Sequence, residues 1–156
     1  MVVPGVGLIS FTVPGQPQGK ARARSGKGGR HYTPEKTRAY EALVAAKCAP
    51  ARVKAKPMDG PVSVLITAYR ARPKSAGPKH ECRAGRVRRV DYMGRAHRYC
   101  TAKPDADNLA KAILDGMTQG RAWGDDDQVV LLKVIKLWCA EGDEPRVDVD
   151  ATEVGE

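Results

Sequence analysis

Aromatic residues and cysteines are scarce in this sequence, and long hydrophobic runs are missing from it. Aromatics make up 5% of the 156 residues, and the four cysteines stand far apart, at positions 48, 82, 100 and 139. That spacing lacks the density of a secreted disulfide scaffold. The apolar runs are too short for a transmembrane helix, and the N-terminal residues include Pro and Gly where a signal peptide needs a continuous apolar core. These absences predict a soluble protein of the cytoplasm, of a length that suits one domain over residues 1–156.

Positive charge, by contrast, is abundant and unevenly distributed. There are 27 Lys and Arg residues against 18 Asp and Glu, which gives a formal net charge of +9. Residues 15–38 contain seven basic residues and one acidic, residues 70–103 contain eleven and two, and residues 104–127 contain two and six. A run of one charge is often only a solvated face. Two basic segments around one acidic cluster instead favour contact with phosphate backbones, and a cation that lets the carboxylates coexist.

Hydrophobic periodicity and turn residues predict the order of the elements. The sequence predicts strands over 7–13, 61–69 and 128–138, and a short edge strand over 146–152. It predicts one helix from Thr33-Pro34 to about Pro50 and a second over 107–119. A Gly-rich basic loop is expected over 15–31 and a long basic insertion over 71–104. Asp105 is the expected N-cap of the second helix and Gly120 its expected stop. This order indicates a small single domain of the α/β (α+β) class, with helices packed against one mixed β-sheet.

Two carboxylates and a lysine occur together where a loop enters the second predicted helix. In Lys103-Pro-Asp-Ala-Asp-Asn-Leu-Ala-Lys111, Asp105 and Asp107 are two residues apart, and Lys111 follows Asp107 by one helical turn. This spacing places both carboxylates at the helix N-terminus and brings the lysine within reach of them. The alternative is structural: Asp105 caps the helix and Asp107 interacts favourably with its dipole.

A second carboxylate cluster, residues 125–127, follows Trp123-Gly124 just before the strand over 128–138. If the helix and the strand pack as neighbours, we expect the two clusters to converge at one end of the sheet. Clustered carboxylates repel each other and raise each other's pKa unless a divalent cation neutralises them. Such hard oxygen ligands suit Mg²⁺ or Mn²⁺, which can acidify a bound water and stabilise charge on a phosphodiester. The alternative for residues 125–127 is a polar turn.

These motifs resemble those of the RusA family of Holliday junction resolvases. The resemblance rests on KPDADNLAKAILDGM and AWGDDDQVVLLKVIK, which match an Asp-x-Asp-Asn-Leu-x-Lys segment followed by a Trp-x-Asp-Asp-x-Gln-Val-Val segment. Upstream, FTVPGQPQGKARAR resembles the family's first strand and basic turn, and RHYTPEKTRAYE the start of its first helix. Residues 72–100 look longer than a minimal member needs, and Pro104 stands where some members have a basic residue.

The resemblance implies a homodimeric endodeoxyribonuclease of mixed α/β fold, dependent on Mg²⁺ or Mn²⁺, that acts in DNA recombination and repair. It implies binding to four-way DNA junctions and symmetric nicking of two opposing strands. By motif match, Asp105, Asp107 and Asp126 take catalytic, metal-binding positions, with Asp125 as a flanking metal ligand, and Lys111 takes the position of the catalytic lysine. In the reaction so implied, a water attacks phosphorus in line, the 3′-oxygen leaves, and Lys111 contacts the scissile phosphate or the attacking water.

Basic residues in two places are candidate DNA contacts. Lys20, Arg22 and Arg24 alternate in the Gly-rich loop, so they can bind successive phosphates of the DNA backbone. Lys103 can supply the charge that is missing at Pro104. The alternative for the Gly-rich loop is a mobile surface segment.

Histidine and cysteine pairs in the basic insertion are candidate zinc ligands. His80, Cys82, His97 and Cys100 have a spacing that can bind a structural Zn²⁺ and so fix the insertion. The His-x-Cys half is less typical than Cys-x-x-Cys, and the resemblance does not require the site. The remaining cysteines, at positions 48 and 139, are expected to be small core residues.

Two other functions fit parts of the sequence. One is a metal-dependent nuclease that cuts other branched or flapped DNA, because the sequence alone does not determine which junction is bound. The other is a catalytically silent, basic nucleic-acid-binding protein whose acidic cluster is structural. A protein that only binds nucleic acid has no use for carboxylates near phosphate. The second alternative is therefore disfavoured by the joint presence of Asp105, Asp107, Lys111 and Asp126.

Overall fold

Four strands form one mixed sheet, and two helices pack against it. The computed structural model describes residues 8–52, 56–73, 88–90, 96–140 and 142–155; the side chains at 24, 88–90 and 96 lie outside that description. The sheet contains β1 (Leu8–Pro14), β4 (Val62–Arg70), β7 (Val129–Trp138) and β8 (Arg146–Glu153), and the helices are α1 (Glu35–Ala51) and α2 (Ala106–Gln119). Two short hairpins are made by β2 (Arg24–Ser25) with β3 (His31–Tyr32) and by β5 (Arg88–Val90) with β6 (Ala96–Arg98). The expected α+β class is confirmed.

The strands are ordered β1-β8-β4-β7 in the sheet. β8 is antiparallel to both of its neighbours, and β7 is parallel to β4, with α2 in the crossover connection that parallel strands require. β8 is therefore an inner strand, which corrects the edge strand expected over 146–152. Buried Val147 and Val149 alternate with Asp148 and Asp150 because one face of the sheet is solvated. An inner strand and an edge strand share that pattern.

The core lies between the sheet and the two helices. α2 contributes a fully buried stripe at the spacing that predicts this helix: Leu109, Ala112, Ile113 and Met117. α1 and α2 approach closely at Gly116, where an added Cβ would lie 2.5 Å from the Cβ of Val44. Among the described helices, none is long and apolar enough to cross a membrane.

The element boundaries differ slightly from those expected. Pro34 rather than the preceding threonine occupies the N-cap of α1, no side chain caps that helix, and Pro50 lies inside its last turn. Asp105 and Gly120 are the N-cap and C-cap residues of α2, as expected. The β2–β3 and β5–β6 hairpins lie in segments expected to be loops. A short 3-10 helix over Asp126–Gln128 leads into β7, which begins one residue later than expected.

Two cysteines occupy the core, as expected. Cys48 on α1 is fully buried, and Cys139, just after β7, is 3% exposed. Burial raises the pKa of both thiols to about 11. They are therefore protonated near neutral pH and act as small apolar side chains.

Candidate active site

The carboxylate of Asp105 is not used to cap the helix that it precedes. Its side chain accepts no hydrogen bond from the first amides of α2. It accepts one from Lys103, whose Nζ lies 2.6 Å from Oδ2, and it is 48% exposed. This hydrogen bond, together with the charges of Lys103 and Lys136, holds the pKa of Asp105 below its usual value. The carboxylate is therefore ionised and accessible to a ligand, and the capping role considered for it is not observed.

Asp107 and Lys111 extend the same surface along α2. Asp107 lies in the first turn of the helix, Lys111 follows one turn later, and both are exposed. Residues four apart share a helix face, so the carboxylate and the ammonium can contact one ligand. The first turn also carries the positive end of the helix dipole, which favours an anion such as a phosphate.

The basic loop over 15–31 lies directly against this end of α2. The backbone N–H of Lys20 donates to the carbonyl of Asn108 across 2.9 Å. Gly19 permits this approach, because an added Cβ would lie 2.8 Å from the Cβ of Pro104 and 3.3 Å from that of Asn108. Arg22, two residues beyond the contact, is exposed. The loop therefore brings positive charge close to the carboxylates at the start of α2.

Lys20 itself is held by two carboxylates. Its ammonium forms a hydrogen-bonded ion pair with Asp115 and lies 3.6 Å from Oε1 of Glu41. Nε2 of Gln119 donates to the other oxygen of Glu41 across 3.1 Å. The hydrogen bond to Asp115 raises the pKa of Lys20 above 10.5. These contacts join the basic loop to both helices. The sequence does not predict them, because the three residues are far apart in the chain.

Residues 125–127 form a turn at the start of β7. Oδ1 of Asp125 accepts a hydrogen bond from the backbone N–H of Asp126 across 2.7 Å, and Gln128 completes a capping box. All three carboxylates are exposed. The pKa of Asp126 is raised by its side-chain hydrogen bond with Asp125, by partial burial, and by the charges of Asp125, Asp115 and Asp127. The last of these causes is the mutual repulsion expected of clustered carboxylates.

Gln128 is a positioning residue that an argument from charge does not find. Its Oε1 accepts hydrogen bonds from the backbone N–H groups of Gly124 and Asp125, across 2.9 Å and 3.3 Å. Its Nε2 donates to the carbonyls of Met58 and Gly60, across 3.0 Å and 3.1 Å. One side chain thus ties the acidic turn to the chain that enters β4. The signal for it is its place in the Trp-x-Asp-Asp-x-Gln motif.

Within the chain, the two carboxylate clusters lie at opposite ends of α2. Asp126 is close enough to Asp115 for that charge to raise its pKa, whereas Asp105 precedes Asp115 by ten residues, or about 15 Å of helix. Asp105 is instead near Lys136, seven residues into β7, which is roughly 23 Å of strand. The expected convergence is wrong within a single chain, because α2 runs back along β7 and begins near the far end of that strand.

The chemistry of Asp105 and Asp107 fits a divalent cation, but the described part of the chain does not bring the full ligand set together. Carboxylate oxygens are the side-chain ligands that Mg²⁺ takes in proteins. Across residues 8–52, 56–73, 88–90, 96–140 and 142–155, no group of three or more His, Cys, Asp or Glu side chains is placed to hold a metal. Asp126, the third ligand implied by the resemblance, belongs to the other cluster. The ligand set is therefore divided between two places.

The other candidate DNA contacts lie near the start of α2 or in the basic loop. Lys103 is bound to Asp105 and remains 80% exposed. The backbone of Arg24 pairs with Tyr32 in the β2–β3 hairpin, and its side chain lies outside the described part of the structure. The role of these residues and of Arg22 as DNA contacts stays a prediction.

The predicted zinc site involves two residues outside the described part of the chain, His80 and Cys82. Its other two members, His97 and Cys100, are both buried. Nδ1 of His97 donates to the carbonyl of Trp138 across 3.0 Å. His97 is therefore already packed and bonded against the end of β7, and zinc binding stays a prediction.

Comparison with known proteins places the chain in a family. The model of the endodeoxyribonuclease RusA family matches residues 14–151. The uncharacterized protein YqaN of Bacillus subtilis (strain 168) is 35% identical over 156 residues, which cover 94% of this chain and 96% of that protein. The crossover junction endodeoxyribonuclease rusA of Lactococcus phage r1t is 39% identical over 54 residues, 35% of this chain and 39% of the phage protein. Because the family match extends from the basic loop through both carboxylate clusters, the chain belongs to the RusA endodeoxyribonuclease family.

Proposed function

We propose that this protein is a structure-selective endodeoxyribonuclease that resolves four-way DNA junctions with paired, symmetric nicks, in DNA recombination and repair. The observation that carries the proposal is the accessible group of Asp105, Asp107 and Lys111 at the start of α2, in a member of an endodeoxyribonuclease family. The basic loop supports it, since Arg22 presents positive charge nearby. A protein that only binds DNA has no use for ionised carboxylates here, because they repel phosphate.

Each residue of this group has a role that follows from its chemistry. Asp105 and Asp107 would hold Mg²⁺ or Mn²⁺, and Lys103 keeps the carboxyl of Asp105 ionised. When bound, such a cation neutralises phosphate charge and acidifies a coordinated water. Lys111 donates to a non-bridging oxygen of the scissile phosphate and offsets the charge that develops there. In the hydrolysis, an oxygen of water bonds to phosphorus as the bond to the 3′-oxygen breaks.

The divided ligand set supports a homodimer. Two symmetric nicks need two active sites, and a two-fold axis supplies two identical ones. Because α2 separates Asp126 from Asp105 and Asp107 within one protomer, a second copy is needed to bring the three carboxylates together. Each active site would then contain Asp105, Asp107 and Lys111 of one subunit and Asp126 of the partner subunit.

The variant Asp107→Asn tests the catalytic assignment. We expect cleavage of a synthetic four-way junction to fall by at least about 100-fold, the loss typical of removing one catalytic group. Binding should be retained or tightened, because a negative charge near phosphate is removed. The matched control is Asp150→Asn, which alters an exposed carboxylate on β8 that accepts a hydrogen bond from Ser10. It should cut at the wild-type rate.

The same assay compares the junction with a flap and a linear duplex, with and without EDTA. The proposal requires cleavage of the junction in preference to the other two, and loss of that cleavage in EDTA. Wild-type rates for Asp107→Asn with Mg²⁺, or equal cutting of all three DNAs in EDTA, would overturn it.

Mixing two inactive variants tests whether the active site is shared. A heterodimer of Asp107→Asn with Asp126→Asn contains one intact site if Asp126 acts across the interface. It contains two damaged sites if each subunit supplies all of its own ligands. We expect the mixture to recover nicking of one strand per junction, and no recovery after verified subunit exchange contradicts a shared site.

A further inference from the structure

β7 has an apolar edge that the described part of the chain leaves uncovered. β4 pairs with one side of β7, and on the other side Tyr99 and Cys100 contact only its C-terminal end, at Leu137 and Lys136. Near the N-terminal end of β7, three consecutive apolar residues are each about half exposed: Val130 (57%), Leu131 (58%) and Leu132 (46%). Consecutive side chains of a strand point to opposite faces, so both faces of this part of β7 are apolar.

The opposite edge strand of the sheet, β1, lacks the exposed large apolar side chains of β7. The exposed positions of β1 are Ser10, Thr12 and Pro14, which are polar or cannot donate a backbone hydrogen bond. Pro14 discourages another strand from pairing there, and the two hydroxyl side chains offer little apolar surface to a partner. A strand edge with large apolar side chains on both faces favours pairing with a partner strand.

We propose that residues 129–133 of β7 pair antiparallel with the same residues of a second copy, which joins the two sheets into one of eight strands. This inference rests on the proposed function for the need of a second copy, and it adds the surface and the register. The register that brings apolar side chains together is centred on Leu131. In this register Leu131 lies opposite Leu131 of the partner subunit. On the other face of the sheet, Val130 lies opposite Leu132 of the partner subunit. A two-fold axis produces this self-complementary pairing.

The same register is electrostatically complementary. Antiparallel pairing sets the N-terminal end of β7 in one copy beside the C-terminal end of β7 in the other. The 3-10 turn that carries Asp126 leads into the first of these ends and Lys136 lies near the second, so this register brings Asp126 toward Lys136 of the partner subunit. Lys136 donates to the carbonyl of Ala102 across 2.6 Å and lies near Asp105. The acidic turn of one copy thus faces the basic end of the other copy's β7. Asp126 arrives at the end of the molecule that carries Asp105 and Asp107.

Sedimentation velocity without DNA or metal tests the surface. We expect the wild type to sediment as a dimer at micromolar concentration and Leu131→Lys as a monomer with an unchanged circular dichroism spectrum. The matched control is Thr12→Lys, which places the same charge on the exposed face of the other edge strand and should remain dimeric. A monomeric wild type, or a dimeric Leu131→Lys, would overturn the proposed surface.

Disulfide trapping tests the register. In a Cys82→Ser background, Leu131→Cys should form a cross-linked dimer on mild oxidation, because facing residues of antiparallel strands have Cα atoms roughly 5 Å apart, within disulfide range. Lys133→Cys is the control, since this register sets position 133 against position 129 of the other copy. The remaining three cysteines are buried and form no disulfide. Cross-linking of Lys133→Cys but not of Leu131→Cys contradicts the register.

These experiments separate the interface from the proposed function. If Leu131→Lys stays dimeric while the wild type cuts junctions, the interface is wrong and the function stands. If Leu131→Lys becomes monomeric but Asp107→Asn still cuts with Mg²⁺, the interface stands and the catalytic assignment is wrong.

Discussion

At the scale of single residues, the partner of a charge decides its role. Lys20 and Arg22 are two positions apart in the same basic loop, yet the ammonium of Lys20 is bound to Asp115 and Glu41 while Arg22 is exposed. The side chain of Glu41 is 7% exposed. Removing Lys20 would leave that buried carboxylate without its countercharge, which is costly because the group cannot be rehydrated.

We expect Lys20→Met to lower the free energy of unfolding by about 1–2 kcal/mol, between the effects typical of surface and buried ion pairs. Because folding raises the pKa of Lys20, its stabilisation is fully present below the usual value of 10.5 and is lost as pH rises through the folded-state pKa. The difference in melting temperature between wild type and Lys20→Met should therefore be constant from about pH 7 to 9 and shrink as the pH rises above 10.5. Thermal unfolding followed by circular dichroism measures it.

The control for this prediction is Arg22→Ala. Its melting temperature should equal that of the wild type, and its affinity for a DNA junction should fall severalfold through loss of a phosphate contact. Equal melting temperatures for Lys20→Met and Arg22→Ala would contradict the structural role given to Lys20.

The sequence predicts which residues carry charge, but only partly what each one contacts. Asp105 is correctly predicted as the N-cap residue of α2, because Asp commonly precedes a helix. Its hydrogen bond with Lys103 and the contact of Lys20 with Asp115 depend on side-chain directions that only the folded chain sets. Gln128 is found by motif and not by charge, since its four hydrogen bonds are to backbone groups.

At the scale of elements, α2 carries the core on one face and the candidate active site on another. Its buried stripe packs inward, while Asp107 and Lys111 are exposed. Gly116 on the inner side lets the backbone of α2 approach α1. An added Cβ there would lie 2.5 Å from the Cβ of Val44 and 2.8 Å from the carbonyl oxygen of Glu41.

We expect Gly116→Ala to destabilise the protein despite the better helix propensity of alanine. Alanine gains about 1 kcal/mol over glycine inside a helix, but the overlap with backbone and Val44 forces the helices apart. A net loss of about 1–3 kcal/mol is typical of overpacking. Urea unfolding measures it as a lower midpoint. Gly60→Ala is the control, because nothing lies within 4 Å of its added Cβ, and an equal loss in both variants would contradict the close crossing.

Elements defined by local pattern are predictable, and their neighbours are less so. The helix predicted over 107–119 and the strand predicted over 128–138 match α2 and β7 closely. The hydrophobic pattern of each element depends only on residues that are neighbours in the sequence. The inner position of β8 and the separation of the carboxylate clusters depend on which strands pair and which way α2 runs. Those choices are made by residues far apart in the chain.

At the scale of the whole molecule, the net charge of +9 conceals a division of charge. The basic loop lies against the start of α2, next to the carboxylates of Asp105 and Asp107. Affinity for DNA should therefore come mainly from phosphate contacts, and only the local carboxylates oppose it.

We expect the affinity for a four-way junction to fall steeply with salt, by about 10³-fold between 50 and 200 mM if six or more phosphates are neutralised. The slope of log affinity against log salt, from fluorescence anisotropy, measures this number of contacts. Arg22→Ala should make the slope shallower by about one contact. An affinity independent of salt would contradict binding through the phosphate backbone.

The place of β8 between β1 and β4 has a consequence for the chain as it is translated. Ser10 on β1 is hydrogen-bonded to Asp150 on β8, 140 positions later. In the described sheet, β1 therefore has no neighbouring strand until β8 has left the ribosome. Pairing over such distances makes folding slow. The sheet that supports both carboxylate clusters is thus completed only after synthesis has passed β8, so a partly made chain lacks the finished support of these clusters.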